Sequence, residues 1–349
     1  MAAVRKTRTK GRSGDRRSTI RLLFTCVGRR VELLRAFREA ASRLKIQLEI
    51  HGADASRFAP ALYFSDRTHQ TPSIASGNYQ DALAGVIEKH RIDLLVPLID
   101  TELAHIAAAR ERFEELGCRA VISSPRVIES CRDKLATFRV LSAAGIDTPM
   151  TWPWVAAMEQ KRHRFPYFLK PRAGSAGAGN HVVNNVDELR VFGARVKDAI
   201  VQEFVPGVEH TLDVYTGFDG VPRCVVARKR LEVRTGEVSK GVTTKTAEVL
   251  AIGRRVAEVL GECRGVITVQ CIVTADGRIR TIEINPRFGG GAPLSIRAGA
   301  DFPRWLLEEH LGRRPRILAR SYKADLAMLR FDDSVFVPSA SRLLSASVR

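Results

Sequence analysis

The chain has 349 residues, 45% hydrophobic and 27% charged, with a formal net charge of +18. Such a length exceeds what one hydrophobic core usually serves and points to two or three subdomains of a soluble globular protein. No apolar run reaches the roughly 18–20 residues of a membrane span, and the N-terminus lacks the apolar core of a signal peptide.

The six cysteines are scattered without CxxC pairs, and no HExxH occurs. That pattern argues against structural zinc and suits reduced, buried thiols in a cytoplasmic protein.

Residues 1–19 hold seven lysines and arginines against Asp15 and almost no large apolar side chains. A disordered basic tail is expected there. The whole positive surplus suits nucleic acid, a membrane surface or acidic small molecules, and equally a solubilising role. Residues 20–124 then alternate strand and helix signals. Leu22 to Val27 is an apolar run ending at Gly28; Val31, Leu34, Phe37, Ala41 and Leu44 follow at helical spacing. Ile46 to Ile50 restarts a strand, with Asp54 after it. Ile92 to Ile99 is another, with Asp100 or Thr101 capping the next helix. This alternation predicts a parallel sheet with helices on both faces and a site near Gly28, Asp54 and Asp100 to Glu102. A lone Gly28 in place of GxGxxG gives little support to dinucleotide binding.

Ser124-Pro125 opens a helix expected to run through Lys134 and stop at Gly145. From about 166 to 312 the chain is β-rich, with helices expected near 187–197, 246–262 and 301–311. After Arg313 comes an extension in which Ala327 to Val337 reads as an added strand and the last ten residues as frayed.

Tyr167 to Pro171 is a strand that delivers Lys170 to the small-residue loop Gly174-Ser175-Ala176-Gly177-Ala178-Gly179. Free backbone N–H groups beside a lysine suit phosphate oxygens, although Gly-Lys-Ser/Thr is absent and this is no Walker A loop. Ile200 to Gly207 is a strand breaking into a turn. Val208 to Val214 alternates and places Glu209 and Asp213 on one face. Arg228, Arg230, Glu232 and Arg234 share a face that suits an acceptor anion, and Thr235 to Lys245 reads as a mobile substrate loop.

Val266 to Val273 is a buried strand with one intruding amide, Gln270, which pairing about Asp276-Gly277 sets opposite Glu283. In Arg280 to Gly291, alternation sends Ile282 and Ile284 to the core and Thr281, Glu283, Asn285 and Arg287 to the other face. Carboxylate, amide and guanidinium together suit a divalent cation and phosphate, and the Gly289–Gly291 triplet permits close backbone approach. Taken singly, these segments also fit a flexible hairpin, solvated strand edges and a core glutamine.

In this order the motifs resemble the ATP-grasp superfamily, most of all stand-alone relatives of the carbamoyl-phosphate synthase large chain, over roughly residues 20–312. The resemblance implies α/β and α+β architecture: a parallel-sheet pre-ATP-grasp domain (20–124), then a two-subdomain ATP-grasp fold. The latter comprises a central or lid subdomain (125–200) and a C-terminal subdomain (201–312), with ATP gripped between them and an extension (313–349) behind. Lys134 and Lys170 would then contact ATP phosphates, under a loop containing Gly174, Ser175, Gly177 and Gly179. Glu203, Phe204 and Val205 would meet adenine, and Glu209 the ribose. Gln270, Glu283 and Asn285 would hold Mg²⁺. Arg287, Arg230 and Lys170 would serve the reaction itself.

The implied activity is ATP- and Mg²⁺-dependent joining of a small carboxylate to an amine through an acyl phosphate, in a cytoplasmic protein for which a homodimer is among the expected states. Lysines replace the arginines usual in the synthase at 134 and 170. A single ATP-grasp unit also excludes a cycle with two phosphorylations in one chain. The alternative is an ATP-binding regulatory or nucleic-acid-associated protein without ligase activity, which the basic tail favours.

Overall fold

The computed structural model describes residues 19–174, 177–234 and 236–338. The basic tail before Thr19, Ser175 of the phosphate loop, Thr235 and the last ten residues lie outside the described residues.

The first apolar run becomes β1 (Thr19–Thr25), the centre of a five-stranded parallel sheet with β2 (Gln47–Asp54), β3 (Arg67–Gln70), β4 (Leu94–Pro97) and β5 (Arg119–Ala120), in the order β3-β2-β1-β4-β5. Leu22, Leu23 and Phe24 are buried to 0% exposure on both faces, as a strand covered by helices on each side requires. Strand order reverses between β1 and β4, so their carboxyl ends frame the switch-point crevice of the sheet. Gly28 and Arg30 follow β1 there, and Asp100 follows β4. The Gly28 amide donates to Asp54 Oδ2 at 2.9 Å and fixes the turn.

The helix expected over 125–145 is two helices, Pro125–Arg132 and Lys134–Ala143. Asp133 breaks it: at φ −90°, ψ 106° its carboxylate accepts from the amides of Leu135 and Ala136 and caps the second helix. Lys134 is therefore the first residue of a helix rather than an interior one.

A four-stranded antiparallel sheet follows, from β6 (Thr151–Pro153), β7 (Tyr167–Pro171), β8 (His181–Val183) and β9 (Ala199–Glu203), in the order β6-β9-β7-β8. It has a small core of its own in Ala157, Tyr167, Leu169, Val183, Leu189 and Val201.

The third sheet is antiparallel and six-stranded: β10 (Val208–Gly217), β11 (Cys224–Arg234), β12 (Glu237–Thr244), β13 (Gly265–Val273), β14 (Ile279–Asn285) and β15 (Ala327–Leu329), in the order β14-β13-β10-β11-β12-β15. Its core is continuous with that of the first sheet, through contacts such as Phe37 with Phe288 at 6.1 Å between ring centroids. β9 runs past residue 200, so the hand-over from the second sheet to the third falls at residues 204–207. Gly207 is required there, because a Cβ would stand 2.4 Å from the Val273 carbonyl oxygen.

Two expectations are corrected. Residues 237–244 form β12, held between β11 and β15, and are not a substrate loop. The added strand at the end is only Ala327–Leu329.

Candidate active site

β14 carries the densest set of candidates, and its register depends on a bulge. Gln270 does face Glu283, and Thr268 faces Asn285, but Cys271 faces Thr281, which leaves Ile282 unpaired. The turn is one residue longer than expected: the Thr274 amide donates to the Arg278 carbonyl at 2.9 Å, with Gly277 at φ 84°. The longer turn and the bulge offset one another, so Gln270 meets Glu283 as expected. Face assignments nearer the turn change, however. Thr281 is buried at 0% exposure on the core face, not beside Glu283, while Ile282 is only partly buried. Arg280 takes the site side instead, and its Nη2 donates to Glu203 Oε2 at 2.7 Å.

Opposite this strand two lysines converge. Lys134 Nζ donates to the Gly174 carbonyl at 3.0 Å. Lys170 is 4% exposed, and burial pushes its pKa down to about 8, with Glu283 and Glu209 opposing the shift and Lys134 reinforcing it. Lys134, Gly174, Glu283, Asn285 and Asp100 line one cleft of ≈ 160 Å³. A larger cleft of ≈ 970 Å³ opens beside Asp133 and Arg172, but neither the metal candidates nor Lys170 line it. Lys170 lines neither, and the candidates Lys134, Glu283 and Asn285 line the smaller one. In the loop above, Gly177 and Gly179 adopt φ 70° and 76°, which glycine accepts without strain.

Behind Glu283 runs a connected polar chain. Arg230 Nη1 donates to Glu209, Gln270 Nε2 donates to the same Glu209 oxygen at 3.0 Å, and Asn285 Nδ2 donates to Gln270 Oε1 at 3.4 Å. Glu209 Oε1 is thus engaged by Arg230 and Gln270.

At the hand-over, Arg280 holds the Glu203 carboxylate. The Glu203 amide donates to the Met150 carbonyl at 2.9 Å, which leaves Phe204, 36% exposed, and Val205, 9% exposed, as the stretch that a base edge can meet. Arg287 reaches the other way, from Nη2 to Asp100 and from Nη1 to the Phe288 carbonyl at 2.9 Å.

The face expected to run along Arg228, Arg230, Glu232 and Arg234 does not exist as such. Arg228 is 1% exposed and bonds Asp213 twice, at 2.7 and 2.9 Å. Register shifts either side of Glu232 turn that carboxylate toward Ser239 and Lys240. Of the switch-point candidates, Glu102 is structural: it is fully buried, accepts from Tyr79 Oη at 2.7 Å and from the Leu98 amide at 2.9 Å, and burial raises its pKa.

Sequence reasoning missed Arg280, Arg30, Glu237 and Arg330. The alternation rule misplaced the first; the others meet only through long-range contacts.

Hard divalent cations take carboxylate, amide and water oxygens. Glu283 forms no ion pair within 4.0 Å among the described residues, and the Gln270 and Asn285 amides lie beside it. No group of three or more His, Cys, Asp or Glu is placed to hold a metal ion among the described residues. The donor set fits Mg²⁺ that shares its shell with phosphate, and does not form an all-protein cage.

Residues 131–291 match the ATP-grasp domain family, and residues 22–122 match the PylC-like N-terminal domain family. The chain thus carries an ATP-grasp domain behind a PylC-like N-terminal domain. It is 27% identical over 135 residues to a carbamoyl-phosphate synthase of Methanobrevibacter smithii, covering 37% of this chain and 36% of that protein. It is 24% identical over 267 residues to a formate-dependent phosphoribosylglycinamide formyltransferase of Ignicoccus hospitalis, covering 70% of this chain and 64% of the relative. The chain therefore spans less than two thirds of either relative. Among solved structures, an L-amino acid ligase of Bacillus licheniformis superposes with a TM-score of 0.66 at 19% identity, covering 86% of this chain and 75% of that one. No helix among the described residues is long and apolar enough to cross a membrane.

Proposed function

We propose that the protein is an ATP- and Mg²⁺-dependent ligase that activates a small carboxylate as an acyl phosphate and joins it to an amine. The observation that carries this reading is one cleft with Lys134 and Gly174 on one wall and Glu283 and Asn285 on the other, with Lys170 buried beside it. Lys134 and Lys170 would hold phosphate oxygens, and the Phe204 to Val205 stretch would take the base. Glu283, Gln270 and Asn285 would hold Mg²⁺, which supplies charge neutralisation to the phosphates when bound.

In the reaction, a carboxylate oxygen attacks the γ-phosphorus and the bond to the departing ADP oxygen breaks. The amine then attacks the acyl carbon and phosphate leaves. No covalent enzyme intermediate is required, because positioning and charge stabilisation supply the acceleration. Glu209 and Arg230 act by fixing Gln270 in place. The six unpaired cysteines fit a cytoplasmic setting.

The test is Mg²⁺-dependent ADP release over a panel of carboxylates and amines, with mass analysis of the products. Glu283→Ala is expected to lower turnover at least about 100-fold, within the range reported for lost charge-stabilising groups. Unchanged turnover in that variant removes the metal assignment. Retained ATP binding without ADP release on any pair would favour the regulatory alternative.

A further inference from the structure

The amino end of the parallel sheet, opposite the switch-point crevice, carries charge that the ligase reading does not use. Arg21 lies near the start of β1, and Arg119 opens β5. The helix Phe302–His310 ends beside them: the Phe218 amide donates to Glu309 Oε2 at 2.9 Å, and the Arg119 guanidinium stands 4.8 Å from the Phe218 ring centroid. From there the chain runs on from Arg313 to Lys323 with five lysines and arginines and no acid.

Arg313, Arg314, Arg316 and Arg320 are all exposed, and none enters an ion pair among the described residues. The acids beside the run are engaged or lie past its end. Glu308 pairs with Arg304 at 3.1 Å, Glu309 accepts from the Phe218 amide, and Asp325 follows the run. Of the acids preceding β4 and β5, Glu114 pairs with Arg264 at 2.9 Å, while Glu88 and Glu115 stand exposed. The run is tied down at both ends: the Arg313 amide donates to the Glu308 carbonyl at 2.8 Å, and the Lys323 amide to the Ala298 carbonyl at 2.6 Å. Residues 1–18 add seven lysines and arginines against one aspartate, and they join β1 at Thr19, at this same end of the sheet.

Unpaired guanidinium groups grip phosphate oxygens with two donors at once. Four of them spread along an anchored surface loop suit an extended polyanion better than one small phosphate. A lipid surface would need apolar side chains to enter it, and the only large one exposed in the run is Leu318, at 56%. A single nucleic-acid strand would need aromatic faces for its bases. Tyr322, the one aromatic of the run, is 1% exposed and lies beneath Lys245. The phosphates of a duplex need neither.

We propose that this face binds double-stranded nucleic acid through its phosphates, without reading sequence, at a site separate from the nucleotide cleft. It stands independently of the ligase reading, because no residue of the run lines that cleft.

The test is fluorescence anisotropy of a labelled DNA duplex, and of one of its strands alone, titrated with the full chain. The duplex should bind more tightly than the strand, and should lose at least about 100-fold in affinity between about 50 and 200 mM KCl, as four phosphate contacts require. Arg313→Gln, Arg314→Gln, Arg316→Gln and Arg320→Gln together should weaken duplex binding at least tenfold and lower the slope against log salt by about 3. Arg316→Glu alone should weaken it at least threefold, which keeps the test open should the fourfold variant not fold. MgATP affinity should stay within threefold in both variants.

The proposal is overturned if the duplex does not bind, if the single strand binds more tightly, or if the arginine variants bind undiminished. It is overturned equally if phosphatidylserine vesicles at the same phosphate concentration displace the duplex.

Discussion

Lys170 shows what one buried ammonium costs the fold. Its ammonium is nearly fully buried, and desolvation brings its pKa from 10.5 to about 8. Between those values the folded state holds fewer protons than the unfolded one, so stability should rise with pH from about 8 to 10.5 and carry the full penalty below 8. A shift of that size corresponds to about 3 kcal/mol. Lys170→Met should therefore raise the unfolding free energy at pH 7 by about 1–3 kcal/mol, flatten that alkaline rise, and weaken MgATP binding at least tenfold. Denaturant melts across pH and a nucleotide titration check it; a destabilised variant would mean that the ammonium is well satisfied as it stands. Lys134, Lys170 and Glu283 were legible in the sequence because each sits inside a short local motif. Arg30 was not, because its partner Glu237 lies 207 positions along the chain.

Among elements, β10, β11 and the glycine triplet are locked by one ion pair. Asp213 on β10 binds Arg228 on β11 twice and accepts from Ser295 Oγ, all at 0–1% exposure. Arg228 in turn packs on Gly291, where a Cβ would stand 2.1 Å from its Nη1. Removing one partner strands a buried charge, so Asp213→Ala should lower stability by about 3–5 kcal/mol, while the double change Asp213→Leu with Arg228→Met should recover most of it. Thermal and denaturant unfolding of the two variants decide the matter, and a double variant as weak as the single would refute the account. This pair also shows where sequence reading ran out. Alternation placed Arg228 on a ligand face and Thr281 beside Glu283, and both failed for physical reasons. A charged residue in a strand can be buried if its partner arrives from the next strand, and a bulge such as that at Ile282 reverses faces without any sequence mark. The buried strands, the small-residue loop and the 270–283 pairing were visible because hydrophobicity and turn residues are local signals. Asp133 as a helix break was hidden inside an otherwise continuous helical pattern.

At the scale of the whole molecule, the three sheets are unequally bound together. The first and third share one continuous core that includes Phe24, Phe37, Tyr215, Phe288, Phe302 and Trp305. The four-stranded sheet has only six buried apolar residues in its own core. Its polar links to the rest include Arg172 with Asp133 (Nε to Oδ1 at 2.9 Å) and Glu203 with Arg280, pairs that are partly open to solvent. The Arg172 pair is exposed and contributes at most about 1 kcal/mol, and with so small a core of its own this sheet should open at less free energy than global unfolding. That is what the proposed ligase reaction needs, since nucleotide would have to enter beside Lys134 and Lys170 and be enclosed before reaction. Amides of β7 to β9 should therefore exchange at least tenfold faster than those of β10, β11 and β13, and saturating MgATP should slow the former while leaving the latter nearly unchanged. Hydrogen exchange read by mass spectrometry resolves these segments. Equal protection in both sheets without nucleotide would show the four-stranded sheet to be no separate unit, and slowing confined to β10, β11 and β13 would place the nucleotide elsewhere.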